Sequence, residues 1–385
     1  MEILKDKHYY NTSMKKALFL IPVLGAFILA SCESDYRPAS IGSMDEIIVV
    51  MDSTSWDSET ALAIEETFGA PIRTIPYPIE PKYKLTYRDF RTNDQLDRIQ
   101  EFKNIIFAAP IDSENNIASF IRAILSDDVE NRVRSGDSFA FPLEDQWMRD
   151  QWTLILSSTS DQELAEKIRN ADQSLVGHLE SRSIDRRTAE VYRRGEQTDL
   201  NEMLWDNYGW QVRMQHDYIP VIDTTDAVVF ARYLPDNNRR MWAWWADEIS
   251  DFSVVDQEWI NTKRDSLMQI YMQGERDSSY VTTDYRRPIE MTAVERDDRI
   301  VGYETMGMWQ MVGNFMGGPF VNFTYFDPET ERLFMVEYWQ FAPGVNKRRF
   351  IRQFQAMGRT FEADSTWNTN QQDEQPVANA ISVRD

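Results

Sequence analysis

The sequence predicts an α+β fold in two halves that suggest a duplication, with largely antiparallel sheets and packed helices. Three observations carry this. Runs of strand length (Glu46–Met51, Asn104–Ala109, Phe320–Phe326, Glu331–Trp339) alternate irregularly with stretches of helical periodicity. Twelve Trp, 16 Tyr and 20 Phe supply a packed core and argue against general disorder. About 350 residues follow an export-type N-terminal segment, enough for two domains or one duplicated unit.

That N-terminal segment runs from Met14 to Cys32. Lys15 and Lys16 precede an uncharged run, Ala17–Ser31, which closes on Leu29-Ala30-Ser31-Cys32. A short basic region, an apolar stretch and a small-residue processing site read as a secretory signal. The stretch is shorter than the ~20 apolar residues of a spanning helix. A core helix or an uncleaved anchor is the competing reading. Leu-Ala-Ser-Cys resembles the bacterial lipobox, which implies a lipidated Cys32 and cleavage just before it. Cys32 is the sole cysteine, and lipidation accounts for a thiol otherwise stray in an exported chain. Residues 1–13 read as a mis-assigned start, with Met14 as the true one, and 14–31 as the signal peptide.

Removing residues 1–31 takes away four lysines and two acidic side chains and leaves a net charge of about −24. Such a body repels nucleic acid and anionic headgroups, so the expected membrane contact is the lipid anchor alone. Without a further thiol, Cys nucleophiles, Cys-ligated zinc, iron–sulfur sites and disulfides are excluded. Only His178 and His216 remain beyond the signal, too few for a multi-His metal site. No cofactor and no metal are expected.

Taken in order, residues 32–44 carry Pro, Gly and Ser without apolar period and read as a flexible tether. The first half, 45–207, opens on the strand Glu46–Met51. A helix follows from Glu59, closed by Gly69, with Ala61, Ala63, Ile64 and Phe68 at helical spacing. Strands follow near 84–90 and 104–109, then a helix from Ser113, strands near 138–142 and 152–157, and a long charged helical stretch from 161 toward 207. The second half, 208–361, has strands near 210–214, 227–233 and 241–246, a helix over 256–273, and strands near 280–284, 290–295 and 300–310. A hairpin around Asp327-Pro328-Glu329-Thr330 and a helix over 345–357 close it. Pairing Phe326 with Glu331 sets Val321 against Val336, Phe323 against Phe334 and Glu337 against Phe320. Residues 362–385 read as a disordered tail. Phe68-Gly69 and Tyr208-Gly209, 140 residues apart and each followed by strands, suggest the duplication.

The candidate chemistry is sparse. Gly136-Asp137-Ser138 has the letters of an esterase block, but no downstream Asp-x-x-His serves it, so a helix C-terminal turn is expected. Trp242 and Trp244 share one face of their strand and offer a sugar-stacking pair; core packing is the alternative. Glu337 stands beside Met335 and Trp339, where an apolar setting could raise its pKa and make it a general acid. A glycosidase needs a second carboxylate, which the sequence does not nominate, and a structural Glu–Arg pair competes. The acidic clusters lack calcium-loop spacing, and Gly317-Gly318-Pro319 lacks the Lys and Ser/Thr of a phosphate loop.

Met316-Gly317-Gly318-Pro319-Phe320, the Asp-turn hairpin, Ala342-Pro343-Gly344 and Lys347-Arg348 resemble the closing segment of a Bacteroidota exported lipoprotein family of unknown function. Phe68-Gly69 and Tyr208-Gly209 resemble it too. Glu33 and Asp35 resemble acidic export signals of that group. The resemblance implies a lipid-anchored outer-membrane protein, facing either periplasm or cell surface, and carries no catalytic residues. The expected function is non-catalytic: binding an envelope protein or ligand, or a role in envelope assembly. The alternative is a carboxylate-based, glycan-active hydrolase using Glu337.

Overall fold

The computed structural model describes residues 36–367 apart from 76, 77, 236, 277 and 297. Cys32, the signal segment, the Met14 start and residues 368–385 lie outside the described residues.

Within the first domain, the strands are β1 (Glu46–Val50), β2 (Lys84–Arg88), β3 (Asn104–Ala108), β4 (Ala140–Glu144) and β5 (Trp152–Leu156). They form one sheet ordered β2-β1-β3-β5-β4. The first four run parallel, and β4 is antiparallel to β5. Helices cover both faces, which is why β1, β3 and β5 are continuously apolar. On one side α1 (Glu59–Phe68), α5 (Asp161–Asn170) and α6 (Asp172–Tyr192) bury Ile64, Phe68, Leu164, Ile168 and Leu179 against Ile47, Val49 and Leu154. On the other, α2 (Asn93–Gln100), α3 (Asn116–Ile124) and α4 (Asp127–Ser135) cover Ile48, Ile105 and Phe107. Gly136 ends α4 in the left-handed region (φ 85°), the helix-stop expected of Gly136-Asp137-Ser138.

In the second domain, α7 (Thr198–Tyr208) leads through β6 (Trp210–Gln211) into an antiparallel sheet ordered β10-β12-β13-β14-β9-β8-β7, with β11 also on β12. Its strands are β7 (Ile219–Asp223), β8 (Ala227–Arg232), β9 (Asn238–Ala246), β10 (Val281–Thr283), β11 (Glu290–Arg296), β12 (Ile300–Met311), β13 (Gly317–Asp327) and β14 (Arg332–Phe341). Alternation divides the sheet's side chains cleanly. Val321, Phe323, Phe334, Val336 and Tyr338 meet α7 and α9 (Arg348–Gly358). Trp242, Trp309, Phe320 and Met335 meet α8 (Gln257–Tyr271). Finally β15 (Glu362–Ala363) pairs with β6, so residues 362–367 are tied to the domain, where a disordered tail was expected.

The fold is α+β in two domains. Nine of the twelve strand pairings among the described residues are antiparallel, and the three parallel ones all lie in the first sheet. The two sheets do not repeat each other. Gly69 is right-handed (φ −87°) whereas Gly209 is left-handed (φ 66°), so the paired Phe-Gly and Tyr-Gly steps turn the chain differently.

Three further expectations change. The charged stretch from 161 is three helices, broken at Ala171 and again around Gly195, whose φ is 117°. The flexible tether is docked over its last part. Ile41 N–H donates to the Glu101 carbonyl (2.8 Å), Ser40 N–H to that of Arg149 (3.0 Å), and Arg149 N–H to that of Pro38 (2.8 Å). The hairpin forms, but Asp327 pairs with Arg332, so Glu337 faces Asn322 instead of Phe320. The cause is Asp327, which stays in the strand and folds the turn around its carboxylate. That group accepts from Glu329 N (3.0 Å) and Thr330 Oγ1 (2.7 Å). The shift is an even number of residues, so the expected apolar face survives.

Helix α9 joins the domains. Its N-cap residue, Lys347, makes no capping bond of its own. The buried Glu80 carboxylate of the first domain accepts from Lys347 N (2.6 Å) and Arg348 N (3.2 Å) instead. Arg352 pairs with Glu180 on α6 (3.1 Å), and Arg349 with Glu190 (2.9 Å). Glu80→Ala is therefore expected to cost about 1–2 kcal/mol, as loss of a cap aided by the helix dipole. Hydrogen exchange should quicken at Lys347 and Arg348; unchanged protection there would refute the cap.

Candidate ligand-binding site

The three residues singled out for ligand binding come together on the α8 side of the second sheet, inside the core. Trp242 is 2% exposed, Trp244 8% and Glu337 not at all. Glu337 is the register partner of Trp242 on one side and of Asn322 on the other. Its two oxygens accept from Arg264 Nε (2.7 Å) and Nη2 (2.8 Å), and Asn322 Nδ2 adds a third bond at 3.2 Å. Arg264 is equally buried, lies 3.9 Å from the Phe320 ring and donates Nη1 to Thr283 Oγ1 (3.0 Å). Asp265 then accepts from Thr283 N and Oγ1 (both 2.8 Å) and from the Tyr285 hydroxyl (2.9 Å). This chain of bonds clamps α8 and β10 to the sheet. The structural Glu–Arg pair is present, fully buried, and both carboxylate oxygens are committed to it. Trp244 lies under the Lys263 ammonium (3.8 Å) and donates Nε1 to Asp226 (3.3 Å). Neither tryptophan presents a sugar-stacking face to solvent.

An open site lies at the end of this same face. A cavity of about 370 Å³ opens at the C-terminal end of α8, between Tyr271 and Met272 on one side and strands β9, β12 and β14 on the other. Its floor is Trp309, Trp339 and Phe341, with the Trp309 and Trp339 rings 4.7 Å apart and tilted by 57°. Trp309 Nε1 donates to the Gln340 carbonyl (3.2 Å). That bond needs glycine at 318, because a Cβ there would sit 3.0 Å from Trp309 Nε1 and 2.0 Å from Gln340 O. Trp339 Nε1 is buried and has no partner among the described residues, an exception to the pairing of buried indole N–H groups.

At the mouth stands Arg240, the register partner of Trp339. Its guanidinium lies 5.9 Å from both the Trp339 and Tyr233 rings, and no described carboxylate pairs with it. The rim is apolar and exposed: Phe315 stands fully in solvent beside Met316, and Tyr233 and Val221 are also exposed. An apolar group can fill such a cavity, an acceptor can meet the Trp339 N–H, and an anion can meet Arg240. The sequence pointed a few residues away from this site. Trp242 and Trp244 drew attention as a cluster, whereas Trp309 and Trp339 are thirty residues apart and meet only through the β12–β13–β14 pairing.

The comparisons divide the chain along similar lines. Residues 197–360 match the model of a domain of unknown function, DUF4837, and residues 40–192 match another, DUF8532. No curated protein matches the chain. Among solved structures, the Saccharomyces cerevisiae Ran-binding protein Mog1p is similar at 8% identity and a TM-score of 0.30, over 41% of this chain and 92% of that one. A protein of Bacteroides thetaiotaomicron is similar at 12% identity and a TM-score of 0.22, over 41% of this chain and 46% of that one. Similarities this slight assign no function.

Proposed function

We propose that this chain is a non-catalytic binding protein of the cell envelope, held in the outer membrane by a lipid on Cys32, on its periplasmic or cell-surface side. Its second domain takes the apolar part of an anionic amphiphile in the Trp309–Trp339 cavity. The observation that carries the reading is the aromatic-lined cavity in which, among the described residues, the buried Trp339 indole N–H has no partner and Arg240 at the mouth has no ion pair. The order of basic residues, apolar run and Leu-Ala-Ser-Cys supports the anchor. An acidic body makes lipid, not surface charge, the means of attachment.

Titration with laurate, an apolar chain with an anionic head, tests the pocket. Tryptophan emission should change saturably in the wild type. Trp339→Ala should abolish the change, and Arg240→Gln should weaken binding by about tenfold, as loss of a charge-assisted contact. Equal affinity in all three proteins would sink the reading. Cell fractionation tests the anchor separately: Cys32→Ala should leave the membrane fraction with its fold intact, and undiminished membrane retention would refute lipidation.

A further inference from the structure

On the other side of strands β8 and β9, facing α9, lies a second cavity of about 280 Å³. Arg232 and Arg239 are register partners there and are 7% and 5% exposed. Like charges directly opposite in a ladder repel, and buried cations normally require a carboxylate. Elsewhere in this chain the buried guanidinium groups obey that rule. Among the described residues, buried Arg186, Arg187, Arg264, Arg332 and Arg352 each have a carboxylate oxygen within 3.1 Å. Arg239 has none; it donates to the amide oxygens of Gln353 (3.1 Å) and Asn237 and stacks 4.7 Å from the Phe350 ring. Arg232 donates to Gln215 Oε1 (2.9 Å) and reaches the exposed Asp217 at 3.4 Å, and its Nε has no partner among the described residues.

The surroundings add positive charge. Arg349 enters from α9, and Arg193 and Arg194 line the cavity just past α6 without ion pairs among the described residues. His216 lies beside them, its Nδ1 buried and without a partner among the described residues. Against five guanidinium groups stand two carboxylates, each already shared: Glu190 between Arg187 and Arg349, Asp217 between Arg232 and His216. This concentration occurs in a chain of net charge −22. Burial, together with Arg232 and Arg349, pulls the Arg239 guanidinium down to about 10, which still leaves it charged at neutral pH.

We infer that this cavity is an anion site for a phosphoryl group, held by Arg232 and Arg239 within and by Arg193, Arg194 and Arg349 at its mouth. A dianion with several acceptor oxygens answers several forked donors at once, which a single carboxylate does not. The site lies on the opposite side of the sheet from the aromatic cavity, with Arg239 lining both, and the inference does not depend on the function proposed above.

The test is calorimetric titration of the full chain with inorganic phosphate and with glucose 1-phosphate, at matched ionic strength in chloride. Both should bind and raise the melting temperature. Arg239→Gln should weaken binding by about tenfold or more, and the exposed double variant Arg193→Ala/Arg194→Ala by several-fold. Without phosphate, Arg239→Gln should melt no lower than the wild type, because it relieves like-charge repulsion. Tighter binding of the sugar ester would identify a phosphorylated organic ligand, and equal binding the phosphoryl group alone; either supports the site. Absence of heat and of a melting shift for both compounds up to about 10 mM overturns it. So does phosphate binding that neither variant weakens.

Discussion

Glu337→Ala is expected to destabilise the second domain by about 3–5 kcal/mol, because it takes the bidentate carboxylate from a fully buried arginine. Arg264 would keep Thr283, the Phe320 ring and a longer contact to Asp265 (3.4 Å), but lose both short bonds to the Glu337 carboxylate. Urea denaturation measures the loss, and a change below about 1 kcal/mol would show that water or another anion replaces the carboxylate. The double variant Glu337→Leu/Arg264→Leu is expected to recover most of it, since apolar replacement of a whole buried pair is often close to neutral. That recovery would identify the pair as a device for positioning α8, not as a net source of stability. Phosphate and laurate binding should persist in the double variant, because neither cavity uses Glu337.

Gly318→Ala is expected to cost about 1–3 kcal/mol through overpacking and to abolish laurate binding. The added carbon would meet the Gln340 carbonyl oxygen at 2.0 Å, and neither is the end of a flexible side chain. To relieve the clash, β13 must draw away from β14, and the bond from Trp309 Nε1 to Gln340 breaks. Gly358→Ala provides a contrast. Its Cβ would strike the Phe323 ring at 2.0 Å on the α9 side of the sheet, so it should lower stability while sparing the aromatic cavity. If Gly318→Ala kept a wild-type urea midpoint and laurate titration, the described packing of Trp309 would be wrong.

Much of the scaffold was legible in the sequence, because burial leaves a period. The runs EIIVV, NIIFA and WTLIL mark strands covered on both faces, and alternation in β13 and β14 marks which residues share a side. Alternation does not reveal whether neighbouring strands run parallel, so the order β2-β1-β3-β5 had no local signature. Helix α2 and the edge strand β7 were missed, and α4 was expected only at its Gly136 stop, because they bury few residues: Ile99, none and Val133, respectively. Glu337 could be placed beside Met335 and Trp339 by counting, but its partner Arg264 lies 73 residues earlier on a helix. Both cavities have the same character. The arginines at 193, 194, 232, 239 and 349 sit in four separate segments, and only the folded chain shows that they outnumber their carboxylates.

The Glu80 contact also sets an order of events during synthesis. Lys347 and Arg348 follow Glu80 by 267 and 268 residues. At ordinary elongation rates that gap lasts on the order of ten to fifty seconds. Through that interval the first sheet can assemble, but the glutamate destined to hold the last helix waits without its partner. The joint between the domains is thus among the last parts of the molecule to form, and a chain cut short before residue 347 would carry all the strands and helices of its first domain with the Glu80 carboxylate lacking the backbone N–H groups it is placed to receive.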